Sequence, residues 1–249
     1  MTDQRPSPAD ISAAFRFLTR LPLPDGEKAP SASSVWAFPI VGMVLGASAG
    51  LLAWFLVWIG VPRLGVGALT IGYLVLITGA LHEDGLADCA DGFGGGKDKA
   101  GILAIMRDSS IGTYGALALM IVIYLRITGV ASFGGWNFVL QLTAVGGMSR
   151  ALMGGLMFAL PNARSDGASA GFGKPSAASA GLGLAIGLVG TIAMTGISGA
   201  LLVGIMALPA LGLMMLAKAK IGGQTGDVLG ATQQSAEAIG LMAAVALLY

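Results

Sequence analysis

One cysteine and one histidine stand in a chain of 249 residues, of which only 11% are charged. The lone Cys89 excludes an internal disulfide framework and any cysteine-built zinc site. With His82 the only histidine, no Ser–His or Cys–His pair suggests nucleophilic catalysis. A dissolved globular domain carries about 25% charged residues, so this chain lacks the polar surface to stay in water. A net charge of +1 without a basic, aromatic-interleaved patch gives nucleic acid nothing to hold. The polar start MTDQRPSPAD has no apolar core and predicts no signal peptide. No internal repeat of about 20–50 residues is visible, which predicts a single domain over 1–249.

Long apolar runs fill what remains. Hydrophobic residues make up 55% of the chain, and several uncharged stretches reach the roughly 20 residues that cross a bilayer as a helix. Trp36 to Ile59, Leu64 to Leu81, Ile111 to Phe133 and Phe138 to Leu160 read as spans. Ala177 to Ala217 holds no charge and accommodates two more, broken near Ser198 and Gly199. Glu237 to Tyr249 crosses only if its helix starts near Leu229. The expected fold is all-α, a polytopic membrane bundle of six to seven transmembrane helices. Forty glycines suit close helix packing in lipid. Residues 1–34 form a lead-in, in which Ile11, Ala14, Phe15 and Leu18 share one face of an amphipathic helix at the membrane interface. A proline-rich connector, PLPDGEKAPSASS, follows it.

The basic residues set the orientation. Arg5, Arg16, Arg20, Lys28, Lys97, Lys99, Arg107, Arg164, Lys174, Lys218 and Lys220 fall on the side of the N-terminus and of the loops at 82–112, 161–176 and 218–236. Arg63 alone falls opposite, so the loops are expected in the cytoplasm, on a bacterial inner membrane. Every acidic residue is expected on that side or at its boundary.

The densest chemistry lies in HEDGLADCADGFGGGKDKAGILAIMRDSSIGTYG at 82–115, which holds six of the thirteen acidic residues. On a helix from Leu81 to Phe93, Asp84, Asp88 and Asp91 stand at i, i+4 and i+7 on one face. Adjacent carboxylates repel unless a cation or proton offsets them. An all-oxygen set suits Mg²⁺, Mn²⁺ or Ca²⁺ better than zinc. GFGGG at 92–96 reads either as a tether or as backbone open to a phosphate, but Asp98 after Lys97 breaks the Walker pattern. His82 reads as structural and Cys89 as a small packing residue.

Other loops add polar groups. In Arg107-Asp108-Ser109-Ser110, the arginine suits a phosphate and Asp108 a metal or hydroxyl. Arg150, in mid-span, either pairs with inner carboxylates or binds an anion. Arg126 lies nearer the outer end and is expected to snorkel. Arg164 and Lys174 bracket a glycine-rich loop able to embrace a polyphosphate. Asp227, with Glu237 ten residues on at the start of the last run, offers a second acidic element. Carboxylates with arginines and no nucleophile suit metal-assisted phosphoryl transfer.

Four motifs carry a resemblance. FLTRLPLP at 17–24, HEDGLADCADGFGG at 82–95, IMRDSSIGTYG at 105–115 and GGQTGDVLGA at 222–231 resemble the cobalamin synthase family, the adenosylcobinamide-GDP ribazoletransferases. Glu83 stands where the family pattern has leucine, Cys89 where it has threonine, and Ser110 where it has arginine. The resemblance implies an Mg²⁺-dependent membrane transferase that joins adenosylcobinamide-GDP to α-ribazole or its 5′-phosphate and releases GMP. It implies that Asp84, Asp88 and Asp91 hold the metal, with Asp108 or Asp227 as further ligand or base. Arg107, Ser109, Arg150, Arg164, Thr225 and Glu237 would bind substrate. Partners would be the two substrates and the bilayer, with self-association or contact with other pathway enzymes left open. The D-G-x-A pattern allows a second reading, an enzyme like the CDP-alcohol phosphotransferases on another substrate. A cation-coupled transporter would instead place acids within spans and open to both faces, and a scaffold would not explain D-x-x-x-D-x-x-D.

Overall fold

The computed structural model describes residues 6–24 and 28–248; Arg5, part of the connector and Tyr249 lie outside them. All the regular elements described are helices: α1 (Ala9–Leu18), a 3-10 turn (Ala32–Ala37), α2 (Phe38–Trp58), α3 (Arg63–Thr78), α4 (Leu81–Gly95), α5 (Lys99–Ile105), α6 (Thr113–Ser132), α7 (Asn137–Ala159), α8 (Ala168–Phe172), α9 (Ala177–Thr195), α10 (Ser198–Ile221) and α11 (Gly226–Leu248). Five are long and apolar enough to cross a membrane, and α3 with α4 makes a sixth if taken as one broken span. At 23 residues α11 is long enough for a seventh, but Asp227, Gln233, Gln234 and Glu237 make it too polar to face lipid.

Helix α7 is the centre, with 78% of its apolar window buried against 22–39% for the other four. Gly42, Gly46 and Gly50 form an i, i+4, i+8 stripe on α2 that admits the α7 backbone at Gly146, Leu142 and Phe138. A Cβ at any of the three would overlap that backbone, so small residues set the crossing, as expected in lipid. The break between α9 and α10 comes at Gly196 (φ +72°), two residues before the expected place.

The break between α3 and α4 matters most. Gly79 (φ +65°) and Ala80 (φ +56°) both adopt left-handed backbone, and the chain turns by 92°. Ala80 is the only described non-glycine residue with positive φ, a conformation that costs roughly 1–2 kcal/mol for an L-residue. The Arg20 side chain lies where a Cβ at position 79 would go, and the Arg20 N–H donates to the Ile77 carbonyl at 2.7 Å. The FLTR stretch therefore braces the kink from which the acidic helix departs.

Two expectations change here. The amphipathic α1 forms, but Ala13, Ala14 and Leu18 are fully buried in the protein, so its apolar face is used on the bundle. GFGGG is neither tether nor phosphate loop, because Gly92, Gly94 and Gly95 belong to α4. Missing Cβ atoms let that helix end press on Met106 and Tyr114.

Candidate active site

The expected functional loops meet at one end of the bundle. Pro161–Ala163 pairs with Gln224 through Gln224 N–H to the Pro161 carbonyl (2.8 Å) and Ala163 N–H to the Gln224 carbonyl (2.9 Å). Arg107 donates to both oxygens of Asp166 at 2.6 Å, tying the 106–112 loop to the 161–167 loop. That exposed pair holds the Asp166 carboxyl below the usual range, first through the hydrogen bond from Arg107.

Helix α4 supplies Asp84 and Asp88, one turn apart. The start of α11 supplies Asp227 opposite, where Gly85 and Gly230 let the two helices touch: a Cβ at position 85 would lie 3.0 Å from the Asp227 Cα. Asp84, Asp227 and Asp91 all act on Asp88 by charge repulsion, and Arg164 opposes them. Thr225 opens α11, accepting from Val228 N–H at 3.3 Å and donating to Asp227 at 3.0 Å. Arg164 reaches Asp227 at 3.4 Å, and its other terminal nitrogen, Nη1, is buried with no partner among the described residues. Among the described residues, the Asp84 and Asp88 carboxylates accept no hydrogen bond and have no cation within ion-pair distance.

The third expected ligand is used differently. Asp91 accepts from Gly112 N–H at 2.7 Å and Gly115 N–H at 2.9 Å, both at the start of α6. Seven residues past Asp84 the helix has carried it two turns farther along, to face another helix's unpaired amides, where a carboxylate is favoured. Asp227, from a distant part of the sequence, takes its place beside Asp84 and Asp88. Among the described residues no three His, Cys, Asp or Glu side chains form a ready-made metal cage. Two unpaired carboxylates one turn apart still fit Mg²⁺, which usually takes one or two carboxylates and completes its shell with water and phosphate oxygens.

The two arginines inside the spans both pair with inner carboxylates, which is the first of the two readings for Arg150 and a correction for Arg126. Arg150 and Glu237 do not reach the loop end. Glu237 lies eleven residues into α11, buried, not at the start of an apolar run, and Arg150 approaches it at 3.4 Å. Arg126 does not snorkel. It is 2% exposed and binds Glu83 at 2.8 Å, Gln234 at 2.8 Å and Glu237 at 2.7 Å. Glu83 and Glu237 are thus acids within the bundle, contrary to the expected boundary placement. In an apolar interior a charge persists only with a partner, and these four supply one another. The signal was available: an arginine inside an apolar span requires a carboxylate.

Asp108 and Ser109 are exposed, and Asp108 lies with Asp91, Tyr114 and Ile111 around a second depression of about 300 Å³. Hydrogen bonds from Ser110, side chain first and then backbone, hold the Asp108 carboxyl below its usual range. The Asp84 and Asp227 side chains line a different pocket of about 210 Å³, with Phe17, Leu81, His82, Met153, Met157, Ser169, Phe172 and Leu229 on its wall. Its apolar members come from α1, α4, α7, α8 and α11, and Met153, Met157 and Phe172 carried no sequence signal beyond hydrophobicity.

Comparison with known proteins gives one consistent result. The profile of the family described as Cobalamin-5-phosphate synthase matches residues 10–245. An adenosylcobinamide-GDP ribazoletransferase of Xanthobacter autotrophicus is 44% identical, covering 94% of each chain. That of Bradyrhizobium diazoefficiens is 40% identical over 96% of this chain and 94% of its own. That of Sinorhizobium medicae is 38% identical over 99% of both. No solved structure matches the chain.

Proposed function

Because the chain belongs to the Cobalamin-5-phosphate synthase family, we propose that its loop end joins adenosylcobinamide-GDP to α-ribazole or its 5′-phosphate. It is an enzyme of the adenosylcobinamide-GDP ribazoletransferase type, acting in cobalamin synthesis. The ribose hydroxyl of the acceptor forms a bond to the phosphorus that carries cobinamide. The anhydride bond to the second phosphorus breaks, GMP leaves with the bridging oxygen, and the hydroxyl proton passes to a carboxylate. The observation that carries this reading is Asp84 and Asp88, unpaired, facing Asp227 beside an arginine with a free donor.

Arg164 fits the diphosphate, since its partnerless Nη1 costs energy until an acceptor arrives. Arg107 holds Asp166 and through it keeps Arg164 in place, with the Arg164 Nε 3.9 Å from Asp166. Asp227, held by Thr225 and Arg164, is oriented to accept the hydroxyl proton. Mg²⁺ on Asp84 and Asp88 would neutralise the diphosphate and its leaving group. The eleven-to-one cation bias favours a cytoplasmic site on the bacterial inner membrane.

The test is GMP release by the detergent-purified protein with Mg²⁺, adenosylcobinamide-GDP and α-ribazole. Folded protein that releases none sinks the proposal. Full activity of Asp84→Asn and Asp88→Asn removes the metal assignment alone, and reporter fusions that place residue 97 or 170 outside the cytoplasm overturn the orientation.

A further inference from the structure

We propose that the pocket between α1, α4, α7, α8 and α11 binds the flat heterocyclic base of the acceptor nucleoside. The identity of the occupant rests on the transferase reading above; the pocket itself does not. Its wall is largely apolar: Phe17, Leu81, Met153, Met157, Phe172 and Leu229. Phe17 and Phe172 stand 4.5 Å apart between ring centroids at 40°, with Phe38 behind them at 6.0 and 5.8 Å. An aromatic corner of this kind receives another ring by offset or edge-to-face contact, and methionine sulfur adds polarizable contact at a ring edge.

Size and polarity choose among the pieces of the two substrates. About 210 Å³ holds a bicyclic base, and a corrin macrocycle is several times too large. Guanine carries hydrogen-bonding atoms along its edges, and six apolar side chains would leave most of them unpaired at high cost. The benzimidazole of α-ribazole has one free ring nitrogen, since the other carries the ribose. The polar wall is correspondingly small. His82 lies in it with its Nε2 buried and partnerless, while the Ser169 hydroxyl is already bound to Gln224 at 2.8 Å. Asp84 and Asp227 line the same cavity, so a base seated on Phe172 holds its ribose beside the carboxylates where phosphorus is attacked. Substrate orientation then follows from shape: the acceptor enters base-first, and the corrinoid stays outside.

The test compares wild type with Phe172→Ala and Met157→Ala in steady-state kinetics and equilibrium dialysis. Phe172→Ala is expected to raise KM for α-ribazole about tenfold, as for a lost aromatic face, with KM for adenosylcobinamide-GDP within about twofold. Dialysis of wild type without donor should show saturable binding of α-ribazole, displaced by 5,6-dimethylbenzimidazole and not by guanosine. Where a variant does not fold, this wild-type competition decides. Displacement by guanosine, a KM effect confined to the GDP substrate, or unchanged α-ribazole binding in both folded variants overturns the assignment. So does displacement by short-chain lipid alone, which marks an acyl-chain crevice. GMP release with unaltered α-ribazole binding in the variants sinks the pocket and leaves the transferase reading standing. Dimethylbenzimidazole binding that Phe172→Ala abolishes, without GMP release, does the reverse.

Discussion

Glu83 and Asp84 are neighbours in sequence and belong to opposite kinds of site. Glu83 turns inward to a buried cluster in which Arg126, Glu237, Arg150, Gln233 and Gln234 satisfy most of one another's polar atoms, leaving Glu83 Oε2 and Arg150 Nε without a partner among the described residues. Asp84 turns to the loop end, where it, Asp88 and the Arg164 Nη1 have no partners among the described residues. Residue types are the same in both, arginines and carboxylates. The inner cluster balances two arginines against two glutamates, each in an ion pair. The outer one sets three carboxylates against one arginine and needs something from outside. Balance of charge, rather than burial alone, separates a group that holds the fold from one poised to act.

The largest expected effect tests the inner half. Arg126→Leu strands Glu83 in a dry interior and should cost about 3–5 kcal/mol, read as a lower Tm or lost folded yield. Pairing it with Glu83→Leu should recover most of that, because the charges leave together; a double variant no better than the single would show that the cluster is not one unit. Activity per folded molecule should survive in the double variant. Next is the outer half. Asp84→Asn should lower GMP release about 100-fold or more, comparable to losing one preorganised electrostatic group, with Tm unchanged or raised. A Tm drop as large as that of Arg126→Leu would erase the distinction between the two regions.

Much of this was legible before the fold. Apolar runs located the long helices up to α10 to within a few residues, since a bilayer imposes the length, whereas the run from Glu237 missed the first eleven residues of α11; the gathering of the functional loops followed from alternation of spans. Asp84 and Asp88 could be paired by helical spacing alone. Arg150 was placed in mid-span with its two uses left open, and Glu237 could not be placed, because depth along a bundle depends on helix offsets that hydropathy does not encode. Asp91 was assigned by the same spacing and lost to a competing use, the amides of Gly112 and Gly115. Phe17 opens a recognised motif, but its contact with Phe172, about 150 residues away in a chain rich in apolar residues, was invisible without the packing.

Asp91 marks the border between the two regions and gives the third prediction. It holds the start of α6 without facing the pocket, so Asp91→Asn should cost about 2 kcal/mol of stability through weakened caps. KM for both substrates should stay within about threefold, as expected when the lost contact touches neither. A loss of activity matching that of Asp84→Asn, at unchanged Tm, would return Asp91 to the metal set.

The smallest effect concerns how far the comparison extends into the lead-in. Asp10 is an inner-type acid at the periphery: fully buried, it accepts from Ser7 (2.8 Å), Ser33 (3.0 Å) and Trp36 (2.9 Å) and pairs with Lys28 at 2.7 Å. Burial opposes its charge, but the hydrogen bonds, that of Lys28 foremost, outweigh it and hold its pKa below the usual value. A depressed folded pKa stabilises above the unfolded pKa of about 3.9 and ceases to do so as pH falls through the folded value. Protection factors of residues 9–18, taken relative to the intrinsic exchange rate at each pH, should therefore be flat from about pH 8 to 5 and fall only below about pH 4. Asp10→Asn should accelerate exchange at neutral pH by about 1 kcal/mol of lost protection. Because α1 carries Phe17 to the pocket wall, that variant should also weaken α-ribazole binding slightly and leave adenosylcobinamide-GDP alone. Loss of protection between pH 6 and 7 would mean that some other group docks α1, and the inner type of site would end at the bundle.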